Sequence, residues 1–135
     1  MPSIVRTYDP KTGPLIRVRI VPKGTLDWSK PEQTCEFLLD TGANSTLIAP
    51  HIAGELGLQP QGRSNLMTAS GRASAPYYLA DLGLIFDEGK VHWEHNHRIL
   101  AFPGEALIYD GIIGRDIICR GNFSISREGF YGFYL

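Results

Sequence analysis

Apolar and polar residues alternate from Leu15 to Val21, with Ile16, Val18 and Ile20 on one side and Arg17 and Arg19 on the other. A period of two marks a half-buried strand. Cys35 to Leu39 is more continuously apolar and predicts a second strand, which delivers Asp40 to its end. Between them, Pro22 to Gln33 is polar and holds Gly24, Asp27, Ser29 and Pro31, the makings of a long loop. Pro50 to Leu56 reads as a short helix with Pro in its first turn and Gly57 beyond its end. Leu66 to Phe86 is strand-like but broken at Ser70-Gly71-Arg72, which predicts a hairpin with its tip near Gly71. Asp87-Glu88-Gly89-Lys90 is a turn, and Val91 to Phe102 another strand. Ala106 to Ile113 is apolar around Asp110-Gly111, and Gly114 to Cys119 reads as a second short helix ending near Gly121. Glu128-Gly129, between Phe123–Arg127 and Phe130–Leu135, signals a two-residue hairpin. The sum is an all-β chain with two short helices, closed into a barrel.

Composition narrows the class. At 135 residues the chain fits one domain, residues 1–135, and is long enough to fold without staples. The 15 Gly and 9 Pro favour short strands and tight turns over long helices. Thirteen basic and 14 acidic residues leave a net charge of −1, which gives no footprint for nucleic acid or an anionic membrane. Cys35 and Cys119 lie far apart with no metal-type spacing. They read as free, partly buried thiols, which favours a reducing compartment. The first residues hold no stretch apolar enough for a signal peptide or a membrane span, and the expected location is cytoplasmic.

The candidate chemistry sits at Leu38-Leu39-Asp40-Thr41-Gly42-Ala43. A carboxylate that activates water must be held at a fixed angle, and an apolar strand running into a tight turn does that. Thr41 supplies a hydroxyl that can tie the loop to a neighbour. Gly42 admits another backbone or a ligand closely. Alone, the tetrad is weak, since Asp and Gly fill turns everywhere. A second motif, Ile112-Ile113-Gly114-Arg115-Asp116, follows about seventy residues downstream. The pair, in this order and spacing, resembles the retropepsins, the retroviral-type aspartic peptidases. Thr46-Leu47-Ile48 through Glu55-Leu56-Gly57-Leu58 is similar to cellular and bacterial members of that clan. The resemblance covers Leu15 to Ser126.

It implies an acid-protease barrel with a flap hairpin, and an aspartic endopeptidase. Asp40 would be the catalytic carboxylate, Thr41 a cross-subunit hydroxyl lock, and Gly42 a carbonyl presented to substrate backbone. Arg115 would brace the loop around Ala43 and Asn44, and Ser70, Gly71 and Arg72 would form the flap tip. Viral members carry an Asp where this chain has Asn44, so the brace to Arg115 loses a charge and is weakened or rerouted, with Asp116 or Glu36 as candidates to compensate. Arg115 also reads as a plain surface residue on a short helix. Such chemistry needs two carboxylates and no metal or cofactor, and one loop per chain implies a homodimer acting on a peptide or protein substrate. Ile48, Leu66, Met67, Ile85 and Ile112 are candidates for apolar pockets, though each suits plain core better than pocket wall.

Other readings stay open. The fold could serve as a peptide-binding or dimerisation module without useful turnover, or as a regulatory domain of a longer chain. A phosphoaspartyl role for Asp40 needs alternating strands and helices around a parallel sheet, a rhythm absent here. His92-Trp93-Glu94-His95-Asn96-His97 invites a metal reading, but strand alternation puts His95 and His97 on one face and His92 and Glu94 on the other. That favours a solvated strand edge or turn over zinc. The aromatic ending Phe130 to Leu135 could form an interface strand or cap the barrel's own core. Of Tyr77 and Tyr78, one ring is expected under the flap and the other outside.

Overall fold

The computed structural model describes residues 2–22, 34–68, 71–102 and 108–135. Strands are β1 (Ser3–Thr7), β2 (Leu15–Pro22), β3 (Thr34–Leu39), β4 (Leu47–Ile48), β5 (Gly62–Thr68), β6 (Gly71–Ile85), β7 (Val91–Ala101), β8 (Gly111–Ile113), β9 (Asn122–Ile125) and β10 (Phe130–Tyr134). Helix α1 spans Pro50–Glu55 and α2 spans Arg115–Ile118, with a single 3-10 turn at Asp87–Gly89. The sheet order β2-β3-β8-β4-β7-β6-β5, with β2 also paired to β6, closes six strands into a barrel and leaves β5 outside it. Closure satisfies the strand edges and gives the chain an interior.

The alternation in β2 is realised as read: Ile16, Val18 and Ile20 are buried in the barrel. Phe37, Leu39, Ile48, Leu82, Leu84, Ile99, Ile113 and Ile117 join them, and each such side chain contributes about 2 kcal/mol by leaving water. Helix α1 has Pro at its first position and buries Ile52 and Ala53 on the same core. A smaller cluster, Leu47, Leu66, Ala75, Leu100 and Ile112, lies apart from the large one. Hairpin β5–β6 is paired from Gly62↔Tyr77 to Thr68↔Gly71, so its first strand begins earlier than Leu66. Ser70 of the expected tip, and all of the expected Pro22–Gln33 loop but Pro22, which ends β2, lie outside the described residues.

A second sheet, β1-β10-β9, closes one end. Tyr131 and Phe133 point into the main core, so this part of the aromatic tail caps its own barrel, while Phe130 and Tyr134 stay exposed. The Tyr131 hydroxyl donates to the Leu15 carbonyl. The connection between β9 and β10 takes residues 126–129 rather than two, with the Gly129 amide donating to Ser126 O at 3.2 Å. Both tyrosines of the Tyr77-Tyr78 pair are at least half covered: Tyr78 joins the main core, and Tyr77 packs on the smaller cluster under the guanidinium of Arg98, 4.1 Å from its ring centre. Neither ring is left outside. Both cysteines are free; Cys35 is buried, but Cys119 is exposed, against the expectation of partial burial. Burial, helped by Asp110 and Glu55, pushes the Cys35 thiol up to about 11. Among the described residues no helix is long and apolar enough to cross a membrane.

Candidate active site

Strand β3 ends at Leu39, and the chain turns at once. The Asp40 amide donates to Ile113 O at 3.0 Å, the Ala43 amide returns to Asp40 O at 3.2 Å, and Asp40 Oδ1 accepts the Gly42 amide at 2.8 Å. The carboxylate is therefore fixed by its own loop, half-buried, with its second oxygen unbonded among the described residues. A Cβ on residue 42 would stand 3.1 Å from Asp40 Oδ1, tight against the oxygen this turn has to hold. That is the local reason for glycine here. Thr41 is exposed, and its hydroxyl has no partner among the described residues.

The second motif packs directly behind the loop. β8 pairs in parallel with β3, Leu39 beside Ile113, which brings Gly114 against the backbone of Ser45. A Cβ at 114 would come within 2.5 Å of Ser45 O, so only glycine lets α2 start this close. From the first residue of α2 the Arg115 amide donates to Ala43 O at 2.8 Å, and its Nη1 donates to Thr41 O at 2.8 Å. Arg115 thus bonds two loop carbonyls, and among the described residues it makes no hydrogen bond to Asn44. Asn44 itself is exposed. Asp116 takes the loop's other end: Thr46 N and Oγ1 donate to its carboxylate at 3.0 and 2.8 Å. Among the described residues Glu36 makes no hydrogen bond or ion pair with Arg115; its backbone pairs with Asp110 instead.

Beside the loop runs an apolar floor. Cross-strand partners Leu38↔Ile112, Ile112↔Leu47, Leu47↔Leu100 and Leu100↔Tyr77 form one register row across five strands, with their side chains on a common face. Partners directly opposite share a face, so the row is a strip on the outside of the barrel wall. Ala43 packs at one end of this cluster, and Leu66, Ala73 and Ala75 of the hairpin cover it. Ile112 and Leu66 therefore belong to this strip. Ile48 does not: it is wholly buried in the barrel, on the opposite face from Leu47. Met67 is 65% exposed and pairs with Arg72 on the hairpin face turned away from the strip. Ile85 lies at the far end of β6 from Gly71.

Sequence reasoning missed two participants. Thr46 is fully buried, and its Oγ1 accepts the Gly114 amide at 3.3 Å while donating to Asp116. His97 reaches Asp116 Oδ2 with Nε2 at 2.8 Å. Strict alternation hid it. Ala80 pairs with His97 but Leu82 with Glu94, so β7 carries one extra residue, and Asn96 sits at φ 52°. This bulge puts Glu94 and His97 on the same face, against the expected separation. Along His92–His97 the described strands give β7 one neighbour, β6, since β4 reaches only Leu100 and Ala101; His95 and Asn96 are exposed there as a solvated edge or turn requires, but Glu94 is buried and paired with Arg120 at 2.8 Å and His92 at 3.2 Å. Among the described residues no cluster suits a metal ion.

Residues 25–117 match the model of a family described as aspartyl protease. Among solved structures, a retropepsin-like aspartic protease from Rickettsia conorii superposes with a TM-score of 0.62 at 15% identity, covering 97% of this chain and 89% of that one. A Legionella pneumophila protein of unknown function matches at TM-score 0.41 and 17% identity, over 76% of this chain and 82% of that one. No curated protein matches the sequence significantly. The Rickettsia match bears out the acid-protease barrel expected from the two motifs.

Proposed function

Because this chain belongs to the aspartyl protease family, we propose that it is an aspartic endopeptidase working as a homodimer, with Asp40 as its catalytic carboxylate. The carrying observation is the Asp40 loop, held between its own Gly42 amide, the Ile113 carbonyl and α2, with one carboxylate oxygen left unbonded among the described residues. One such loop per chain is half of what the chemistry needs. Two Asp40 side chains about 3 Å apart across a two-fold axis share one proton. The ionised member takes a proton from a water held between them, and the water oxygen bonds to the scissile carbonyl carbon while the protonated member gives its proton to the carbonyl oxygen. As the resulting diol collapses, the first Asp40 gives the water-derived proton to the amine nitrogen, the now ionised second Asp40 takes a proton from a diol hydroxyl, and the C–N bond breaks to release amine and carboxylic acid.

The exposed Thr41 hydroxyl, without a partner among the described residues, supports a lock to the partner's loop. The outer edge of β9 has no neighbour among the described strands, and exposed Ile125, Phe130 and Tyr134 around it suit a second copy. Substrate would lie extended beneath the β5–β6 hairpin, acting as a flap, with apolar side chains on the strip of Leu38, Ile112, Leu47, Leu100 and Tyr77.

The experiment is incubation with a denatured protein at about pH 4 to 7, alongside Asp40→Asn and sedimentation of both. Cleavage by the dimer that is lost in Asp40→Asn is the expected result. Cleavage surviving in the mutant, or carried out by a monomer, sinks the reading. An intact dimer without cleavage favours a peptide-binding module on the same fold.

A further inference from the structure

Asp116 is the meeting point of three elements. It projects from the first turn of α2, and its two oxygens take three donors: Thr46 N and His97 Nε2 on Oδ2 at 3.0 and 2.8 Å, Thr46 Oγ1 on Oδ1 at 2.8 Å. Burial by itself would push this carboxyl up, but the hydrogen bonds from His97 and Thr46 and the charge of His97 outweigh it and hold the group below its ordinary value. An ionised carboxylate only accepts, so His97 Nε2 is the donor. Thr46 closes the segment that begins at Asp40, and its carbonyl accepts the Leu100 amide of β7 at 3.1 Å. Behind the pair, Arg120 Nε donates to Asp116 O at 3.2 Å and its Nη1 to Glu94 Oε2 at 2.8 Å, with His92 on the other Glu94 oxygen. Those are the charged groups that face it from α2 and β7; Arg115 turns the other way, to Thr41 O.

The two ends of the Asp40 segment are therefore held by different means. On the Arg115 side, two neutral carbonyls are bonded by an exposed residue. On the Asp116 side, a carboxylate whose side chain is 25% exposed meets a histidine 11% exposed. Charge-assisted bonds of this kind are stronger than neutral ones, and more so away from water. We propose that Asp116, held by His97, is the positioning residue of the Asp40 loop, supplying through Thr46 the charged anchor that Asn44 cannot give to Arg115. This rests on the peptidase reading for its catalytic consequence, but not for its structural one.

The test uses the full chain as wild type, Asp116→Asn, His97→Leu and His97→Gln, the last keeping a donor. Amide hydrogen exchange at Ala43, Thr46 and Gly114 is compared with Leu82 and Leu84 in the barrel. Expected is at least tenfold faster exchange in the loop for Asp116→Asn and His97→Leu, partial recovery in His97→Gln, and barrel amides within twofold. Should Asp116→Asn fail to fold, the two His97 variants carry the same comparison. Unchanged loop exchange, or acceleration spread equally through the barrel, overturns the proposal. With a cleavable peptide, Asp116→Asn is expected to lower kcat ten- to a hundredfold with KM within threefold; a change confined to KM overturns it. A wild type without cleavage removes the peptidase reading and leaves the exchange comparison to decide this one.

Discussion

The two apolar clusters are built by the same strands and differ in what covers them. β3 gives Leu39 to the barrel and Leu38 to the outer strip; β4 gives Ile48 and Leu47, β7 Ile99 and Leu100, β8 Ile113 and Ile112, and β6 Tyr78 and Tyr77. Adjacent residues thus serve opposite faces of one wall. The inner set is sealed by strands all round and by both helices. Among the described residues the outer set is covered by Leu66, Ala73 and Ala75 of a hairpin, with Ala43 and Phe102 packed beside them. Leu47, Leu100 and Ile112 are buried on the outer face, as Ile48, Ile99 and Ile113 are on the inner, so one sheet is apolar on both sides. Under the proposed peptidase reading the hairpin would have to lift for an extended chain to reach the outer strip.

Neighbouring substitutions test that division most sharply. Ile113→Ala should cost about 3 to 4 kcal/mol in chemical denaturation, since its cavity opens inside a packed barrel. Ile112→Ala should cost only about 1 to 2 kcal/mol, because the strip can collapse under the hairpin, and should raise KM for an apolar peptide several-fold. Equal losses at both positions would erase the distinction. Thiol labelling offers a milder probe. Cys119 should react in the native state, whereas Cys35, its thiol pushed from 9.0 to about 11, has about a hundredfold less thiolate at neutral pH and should react only as the barrel opens. Fast native labelling of both would contradict a sealed interior.

The Asp116 anchor makes a pH-dependent prediction. Its folded carboxyl lies below the ordinary 3.8, so its stabilisation is complete above that value and is lost as pH falls through the folded one. The stability gap between wild type and Asp116→Asn should hold near neutrality and shrink below 3.8. A gap that stays constant into acid would mean the charge contributes nothing. The smallest effect is expected from Asn44→Asp, which gives Arg115 an exposed ionic partner worth about 0 to 1 kcal/mol in thermal denaturation. A larger gain would show the Arg115 side to be the dominant brace after all.

Much of this was legible in the chain. Period-two alternation found β2, the Gly71 neighbourhood found the hairpin, and the Asp40 and Ile112–Asp116 motifs found the loop and the helix behind it. What alternation could not do was assign Ile48 and Ile112 to the inner or the outer face of the wall. A wall that is apolar on both faces has no period to read, so Ile48 and Ile112 looked alike until their registers separated them. Met67 looked like lining because it is apolar, yet it stands on the hairpin's outer face. His97 was lost for a different reason: one added residue near Asn96 reverses the parity of everything after it, and no composition signal marks that change.

The same bulge sets where this chain can tolerate a change in length. Deleting Asn96 would remove the spare residue and leave Glu94, His95 and His97 opposite Leu82, Asp81 and Ala80 in a regular ladder, with Glu94 and His97 still on one face. Deleting Arg98, two residues on, would be a different matter, because the ladder there has no residue to spare. Either Ile99 and Leu100 would trade clusters, or the bulge would absorb the loss and His97 would turn out to solvent, leaving Asp116 to Thr46 alone. Two single-codon losses in one ordinary-looking strand would thus have opposite outcomes. Relatives of this protein should tolerate one residue fewer between Glu94 and His97 and keep the spacing from His97 to Leu100.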